Sequence, residues 1–371
     1  MLWIPGPTEV RPELLAECAR PMIGHRSPKM VETIERLDPG LRLAFGLAPD
    51  STASVAVHSA SATAMMEAGL RGVGEHVICM VNGAFSKRWS QIAGSLGKQV
   101  TVIESAWGQP ADCTALARQL QAGPVDAVTF VSSETSTGTL TPLADMARVL
   151  AKHDHVALLA DLVSYIAGGP VDFDTQRLDF AFAGVQKAFA LPPGVAVCCA
   201  SERFMESARA QPNRGYYLDP VVFIEGHVAR KTPATPCIPL YYALARQLED
   251  IGAGVTLPAG HGAAPGAEAW RARFDKHARM QQRTVEWARG HGLSLLPEPG
   301  FGSPTVSCIQ AGELDVSALV QGLKGRGFEI SNGYGALKGK TFRIGHMGDH
   351  TEDGLNELLT AADEVLAGLP T

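Results

Sequence analysis

DAVTFVSSETSTGTLTPLADMARVLAKHDHVALLAD, residues 126–161, is the stretch whose reading decides the fold. An apolar run, DAVTFVS, gives way to a polar turn. PLADMARVLAKH then spaces its apolar residues at the helical period, and VALLAD returns to a short apolar run. Two continuous apolar runs joined by a helix-period segment fit strands of a parallel sheet covered on both faces. The pattern repeats outward: SVAVHS precedes ATAMMEAGLRGV, HVICMV precedes AFSKRWSQIAGSLG, and QVTVIES precedes DCTALARQLQA. VALLAD leads on to LDFAFAG and GVAVCCA. Residues 52–200 therefore read as an α/β layer with a mainly parallel central sheet.

Near Pro236 the texture changes. IPLYYALARQLEDIG reads as a long helix, and the loose AGVTLPAGHGAAPGAEAW follows it. Beyond a helix to about Gly290 come TVSCIQ, DVSALVQGLKGRG, TFRIGHMG and DGLNELLTAADEVLAGL. This tail reads as a small C-terminal α+β unit of two or three strands with helices.

At 371 residues the chain exceeds one comfortable core, so a large and a small domain are expected. With 46% hydrophobic and 19% charged residues it is globular rather than disordered. The 38 acids against 32 lysines and arginines, with no basic run, exclude a nucleic-acid or anionic-membrane partner. Seven cysteines are scattered without a CxxC, most of them in apolar runs. They imply small hydrophobes in a reducing, cytoplasmic compartment and no metal site. The opening MLWIPGPTEV has no basic stretch and two prolines, unlike a signal peptide. No apolar run approaches the roughly 18 residues of a membrane span.

In a doubly wound sheet, ligands bind beyond the carboxyl ends of the strands, so the residues after each apolar run carry the chemistry. After SVAV comes His58-Ser59-Ala60-Ser61-Ala62-Thr63. Hydroxyls and free amides at a helix start suit a phosphate, though Ser61 or Thr63 serves equally as an N-cap. After HVICMV, Phe85 reads as a rim aromatic or a core residue. Glu134-Thr135-Ser136-Thr137-Gly138 reads as a functional turn or a capped one. Asp161 closes a buried strand, where an acid usually has a cationic partner such as a pyridinium nitrogen.

Lys187 stands in DFAFAGVQKAFALPPGVAVCC, residues 179–199, the one cation among apolar and small residues. Either it ends a strand and snorkels to water, or its water-poor setting keeps the amine reactive toward a carbonyl. Arg343, mid-strand in GKTFRIGHMGD, suits a carboxylate, or else lies on an exposed strand.

The ordered set PGPTEV, ETSTG, Asp161 with Val163 and Ser164, GVQKAFALPPG, RGYYLD, TPATP and FRIGHMGD resembles the class V pyridoxal-phosphate aminotransferases over nearly the full length. That group holds the alanine:glyoxylate, serine:pyruvate and phosphoserine enzymes. The resemblance implies the fold type I of pyridoxal-phosphate enzymes. It also implies an N-terminal segment near the active site (1–20), a large cofactor-binding domain (21–245) and a small C-terminal domain (246–371). It makes Lys187 the Schiff-base lysine, Gln186 a phosphate contact beside Ser61, Ala62 and Thr63, and Asp161 the partner of the pyridine nitrogen. Val163 and Phe85 then flank the ring and Thr135 places a hydroxyl near its oxygen. Thr235 would reach the phosphate from a second subunit of a homodimer, and Arg343 would clamp the substrate carboxylate. The chain departs from the group's glycine-rich phosphate loop at Ala60 and Ala62 and carries Phe85 where relatives often have tryptophan.

The implied activity is ping-pong transamination from a small donor, serine or alanine, to glyoxylate or pyruvate. His25 and Arg26 in GHRS could hold a substrate phosphate or second carboxylate, so phosphoserine or aspartate with 2-oxoglutarate is the alternative. A lyase of the desulfurase kind would need a mobile cysteine, whereas Cys308 lies in a strand-like run and Cys237 beside TPATP.

Overall fold

The computed structural model describes residues 1–368. Strands β1 (Ser54–His58), β2 (His76–Val81), β3 (Gln99–Glu104) and β4 (Ala127–Val131) alternate with helices. A two-stranded hairpin, β5 (Ser133–Glu134) and β6 (Thr139–Leu140), is followed by β7 (Ala157–Asp161), β8 (Phe180–Gly184) and β9 (Ala196–Ala200). Seven of these form one sheet in the order β1-β9-β8-β7-β4-β2-β3. The pairs β2 with β3 and β4, β4 with β7, and β7 with β8 are parallel, as the strand–helix–strand reading requires.

One edge supplies the antiparallel part of this mainly parallel sheet. β9 runs antiparallel to both β8 and β1. Only residues 185–195 join β8 to β9, and Pro192 and Pro193 lie among them, so no crossover helix fits and the chain reverses in place. Lys187 sits in that reversal.

Successive residues of each strand face opposite cores. Ile78, Met80, Ala181, Ala183, Val197 and Cys199 share one apolar cluster. Val77, Cys79, Val81, Phe180, Phe182 and Cys198 share the other. Burial on both faces explains why these runs are continuous rather than alternating.

The second sheet is antiparallel throughout: β10 (Ser294–Leu295), β11 (Val306–Gln310), β12 (Ser331–Asn332) and β13 (Thr341–Gly345), in the order β10-β11-β13-β12. Helices Ala267–Gly290, Val316–Gly325 and Glu352–Ala367 cover it. The residue-245 boundary expected from the sequence falls inside a single helix, Ile238–Gly252. The start of the chain joins this second sheet: Trp3 N donates to Glu329 O at 2.8 Å, and Gly345 N donates to Trp3 O at 2.7 Å. Trp3 is fully buried and stacks on His350 at 3.9 Å.

The hairpin ties the two sheets together. Its turn places Gly138 at φ +68°, where a Cβ would stand 2.9 Å from Cys308 N, so both the turn and the close approach call for glycine. Among the described residues no helix is long and apolar enough to cross a membrane.

Candidate active site

A cavity of about 180 Å³ opens where the carboxyl ends of β4 and β7, the turns after β1 and β2, and the β8–β9 reversal converge. Ser61, Ala62, Thr63, Phe85, Thr135, Asp161, Val163, Gln186 and Lys187, all singled out in the sequence, line it. A larger hollow of about 670 Å³ lies between helix Ala267–Gly290 and β10, but it gathers no such amine and acid.

Lys187 projects into the cavity and is enclosed by protein on its other sides; its Nζ donates to the carbonyl of Pro5. Burial, reinforced by the charge of Arg343, lowers its amine to about 8. The N-terminal segment passes so close that a Cβ on Gly6 would sit 2.6 Å from Nζ.

Asp161 is almost fully buried at the end of β7, and that burial raises its carboxyl to about 7. The N–H of Val163 donates to Oδ1 at 2.8 Å and opposes the rise, as do the charges of Arg88 and Lys187. The nearby Glu134 adds to it.

Ser61 precedes helix Ala62–Arg71, and its side chain makes no capping hydrogen bond. The first-turn amides therefore remain without a side-chain partner, which removes the N-cap reading. None of residues 60–63 takes a positive φ, so alanines at 60 and 62 are compatible with this loop where relatives use glycine.

Glu134 acts as a staple rather than a plain turn residue. Its carboxylate accepts from Ser86 N at 2.8 Å, Phe85 N at 3.2 Å, Ser136 N at 3.1 Å and Ser136 Oγ at 2.5 Å. It thereby caps helix Ser86–Ser95 and fixes Phe85 at the cavity wall. Glu134→Ala leaves these buried donors unpaired and is expected to cost about 2–3 kcal/mol of stability, read as a lowered denaturant midpoint. Thr135 Oγ1 and Ser164 Oγ share a hydrogen bond of 2.5 Å at the same wall.

Arg343 lies on β13, 8% exposed and so no surface-strand arginine. It is not among the residues that line the cavity but bonds to one of them: Nη1 donates to Thr135 O at 3.1 Å, and Nε and Nη2 to Asn332 O at 3.2 Å. Tyr334 covers its guanidinium at 5.6 Å. His25 and Arg26, in the turn before helix Pro28–Ala44, and the exposed Thr235 stand outside the lining of this cavity.

The cavity is also lined by Met66, Arg88, Val131 and Ser133, which the sequence does not single out, and by Ser164, which it marks only as part of a motif. For Arg88 a signal existed: it follows Phe85 by three residues at a helix start, which puts both on one face.

These residues fit pyridoxal phosphate. One amine of lowered basicity faces the cavity, a buried carboxylate has no ion-pair partner among the described residues, a helix start without a side-chain cap offers amides, and Phe85 and Val163 supply apolar walls.

The model of the family described as "Aminotransferase class-V" matches residues 53–254. The chain is 29% identical to the "Soluble hydrogenase, small subunit" of a Synechococcus strain, covering 100% of this chain and 93% of that one. It is 28% identical to the serine--glyoxylate aminotransferase of Methylorubrum extorquens, covering 98% and 90%. Its fold superposes on the crystal structure of a subgroup IV aspartate aminotransferase from Thermus thermophilus with a TM-score of 0.88, at 27% identity and 100% and 99% coverage.

Proposed function

The chain belongs to the class-V aminotransferases, and from that premise we propose that it moves an amino group from a small L-amino acid, serine or alanine, to glyoxylate or pyruvate in two ping-pong half-reactions. As in that family, pyridoxal phosphate is the cofactor. The observation that carries the reading is Lys187, an amine lowered to about 8 in the cavity that also holds Asp161. Bound there, the cofactor carries the amino group and draws electrons from the substrate α-carbon.

The chain's own residues do the rest. Lys187 Nζ, neutral in a substantial fraction near pH 8, accepts the α-proton and returns it as general base and acid. Asp161 has Oδ1 engaged by Val163 and holds a proton-bearing nitrogen against its carboxylate. Arg343 orients the substrate carboxylate, and the amides of residues 61–63 with Gln186 hold the phosphate. Phe85 and Val163 keep water from both sides of the ring.

A small donor is favoured because His25 and Arg26 stand outside this cavity's lining, whereas Arg343, also outside it, bonds to the wall at Thr135. The likeness to an aspartate aminotransferase keeps aspartate as the second reading. Desulfurase chemistry is disfavoured: burial raises the Cys308 thiol to about 11, far from a ready nucleophile. We also infer a homodimer in which the exposed Thr235 reaches a partner's site, and a cytoplasmic setting consistent with seven free cysteines.

The test is the first half-reaction with L-serine, L-alanine, L-aspartate and O-phospho-L-serine, followed by loss of the cofactor's visible band. Serine or alanine is expected to react at least about tenfold faster, a margin equal to one well-placed contact. Faster reaction of aspartate or phosphoserine would refute the small-donor reading. Arg343→Ala is expected to raise the KM for every donor by about 10²-fold through loss of a charge-assisted pair. An unchanged KM would remove the carboxylate role.

A further inference from the structure

Arg88 lines the cavity without an assigned role. It lies in the first turn of helix Ser86–Ser95, with its guanidinium 5.2 Å from the centre of the Phe85 ring. Nη1 donates to Thr63 Oγ1 at 2.9 Å, at the start of helix Ala62–Arg71. The positive ends of two helix dipoles thus meet a third positive charge. Among the described residues no carboxylate pairs with Arg88 within 4.0 Å. Such a placement is unfavourable for a purely structural arginine and favours an anion in the cavity.

Asp161 is the cavity's own acid. Four groups bear on it: the Val163 amide, Glu134, Lys187 and Arg88; Arg343 acts one step removed, on Lys187. Glu134 favours the protonated acid, and Lys187 favours the carboxylate only while it is charged. When Lys187 serves as a base it is neutral, so its help is lost at the moment Asp161 is needed as an anion. An Asp161 that carries its own proton cannot hold the proton of a ring nitrogen. Arg88, unlike lysine, stays charged across the working pH range.

We propose that Arg88 is a positioning residue of the cofactor site: anchored by Thr63 and stacked on Phe85, it is the permanent cation that keeps Asp161 a carboxylate while Lys187 is neutral. The inference rests on the roles proposed above for Asp161 and Lys187.

The test compares wild type, Arg88→Gln and Arg88→Lys, each as the full chain. Protonation of Asp161 is followed against pH by the infrared carbonyl band of its acid form, with Asp161→Asn to assign the band. Cofactor dissociation is measured on the same proteins by equilibrium dialysis. In Arg88→Gln the Asp161 titration is expected to move up by about one pH unit or more, with cofactor held at least about tenfold more weakly. Arg88→Lys restores a charge and is expected to recover most of the titration shift. An Asp161 titration unchanged in Arg88→Gln overturns the proposal, even where cofactor is lost, because a merely structural arginine would weaken binding without moving it. If Arg88→Gln does not fold, Arg88→Met, which keeps the aliphatic stem without the charge, decides: an Asp161 titration raised above that of the wild type would support the idea, an unmoved one would sink it. Should Asp161→Asn hold cofactor as tightly as wild type, the role of Asp161 itself fails, an outcome distinct from failure at Arg88.

Discussion

Lys187→Ala is expected to lower the first half-reaction by about 10⁴-fold or more, the upper range for loss of a positioned base that is also the point of covalent attachment. The expectation follows from the cavity: Lys187 is the amine lining it, and the side chain that replaces it offers no proton acceptor. Borohydride treatment of the wild type should fix cofactor mass to the peptide holding residue 187, and the variant should show none. Added methylamine should restore a small part of the rate. Capture of cofactor by the cofactor-free protein is expected to quicken with pH through about 8, since the lowered amine must be neutral to attack the aldehyde and is protonated below that value. A pH profile without that limb, or a variant with full turnover, would refute the assignment.

Arg273→Met is expected to cost about 3–5 kcal/mol of folding stability, the usual loss when one partner leaves a buried ionic group. Arg273 is fully buried on helix Ala267–Gly290. Its Nη2 donates to Ala188 O at 2.6 Å and its Nε to Ala167 O at 3.1 Å. Nη1 stands 3.0 Å from Asp349 Oδ1, off line, as an ion contact rather than a hydrogen bond. Ala188 is the neighbour of Lys187, so this charge braces the reversal from behind. Burial raises the Asp349 carboxyl, but Arg273, Lys276 and Arg11 outweigh it and hold it below its ordinary value. A carboxyl lowered in the folded state stabilises above its unfolded value, about 3.9, and that contribution is lost as pH falls through the folded one. The gap between wild type and variant should therefore be full at pH 7 and narrow toward about pH 3, as measured by urea unfolding. An equal gap at both would remove the ionic share of the effect.

The strand-end positions were legible because composition and place agree there. Lys187 and Asp161 are charges at the ends of runs that otherwise exclude charge, a local contradiction that only a site explains. The reversed edge was less visible: its signal, eleven residues with two adjacent prolines between apolar runs, is a matter of length and not of period. Glu134 and Arg273 were hidden for another reason. An acid in a turn and an arginine in a long helix are ordinary on any surface, and their partners, Ser86 and Asp349, lie 48 and 76 positions away. No local window joins such pairs. His25, Arg26, Thr235 and Arg343 stand outside the cavity's lining in a single chain, and of these Arg343 bonds to its wall, at Thr135.

The N-terminal segment carries one more implication, in time rather than space. Arg11 donates a hydrogen bond to a carboxylate 338 positions later, Asp349, and Trp3 pairs with Gly345 in the last strand. At ribosomal speeds of about 5–20 residues per second, the first residues wait roughly 17–70 s for these partners to be synthesised. During that interval the segment that supplies the Pro5 carbonyl cannot take its place over Lys187. The large sheet can be complete on the ribosome while the candidate site is still open on that side, so closure of the site over Lys187 waits for the strand that ends at Gly345.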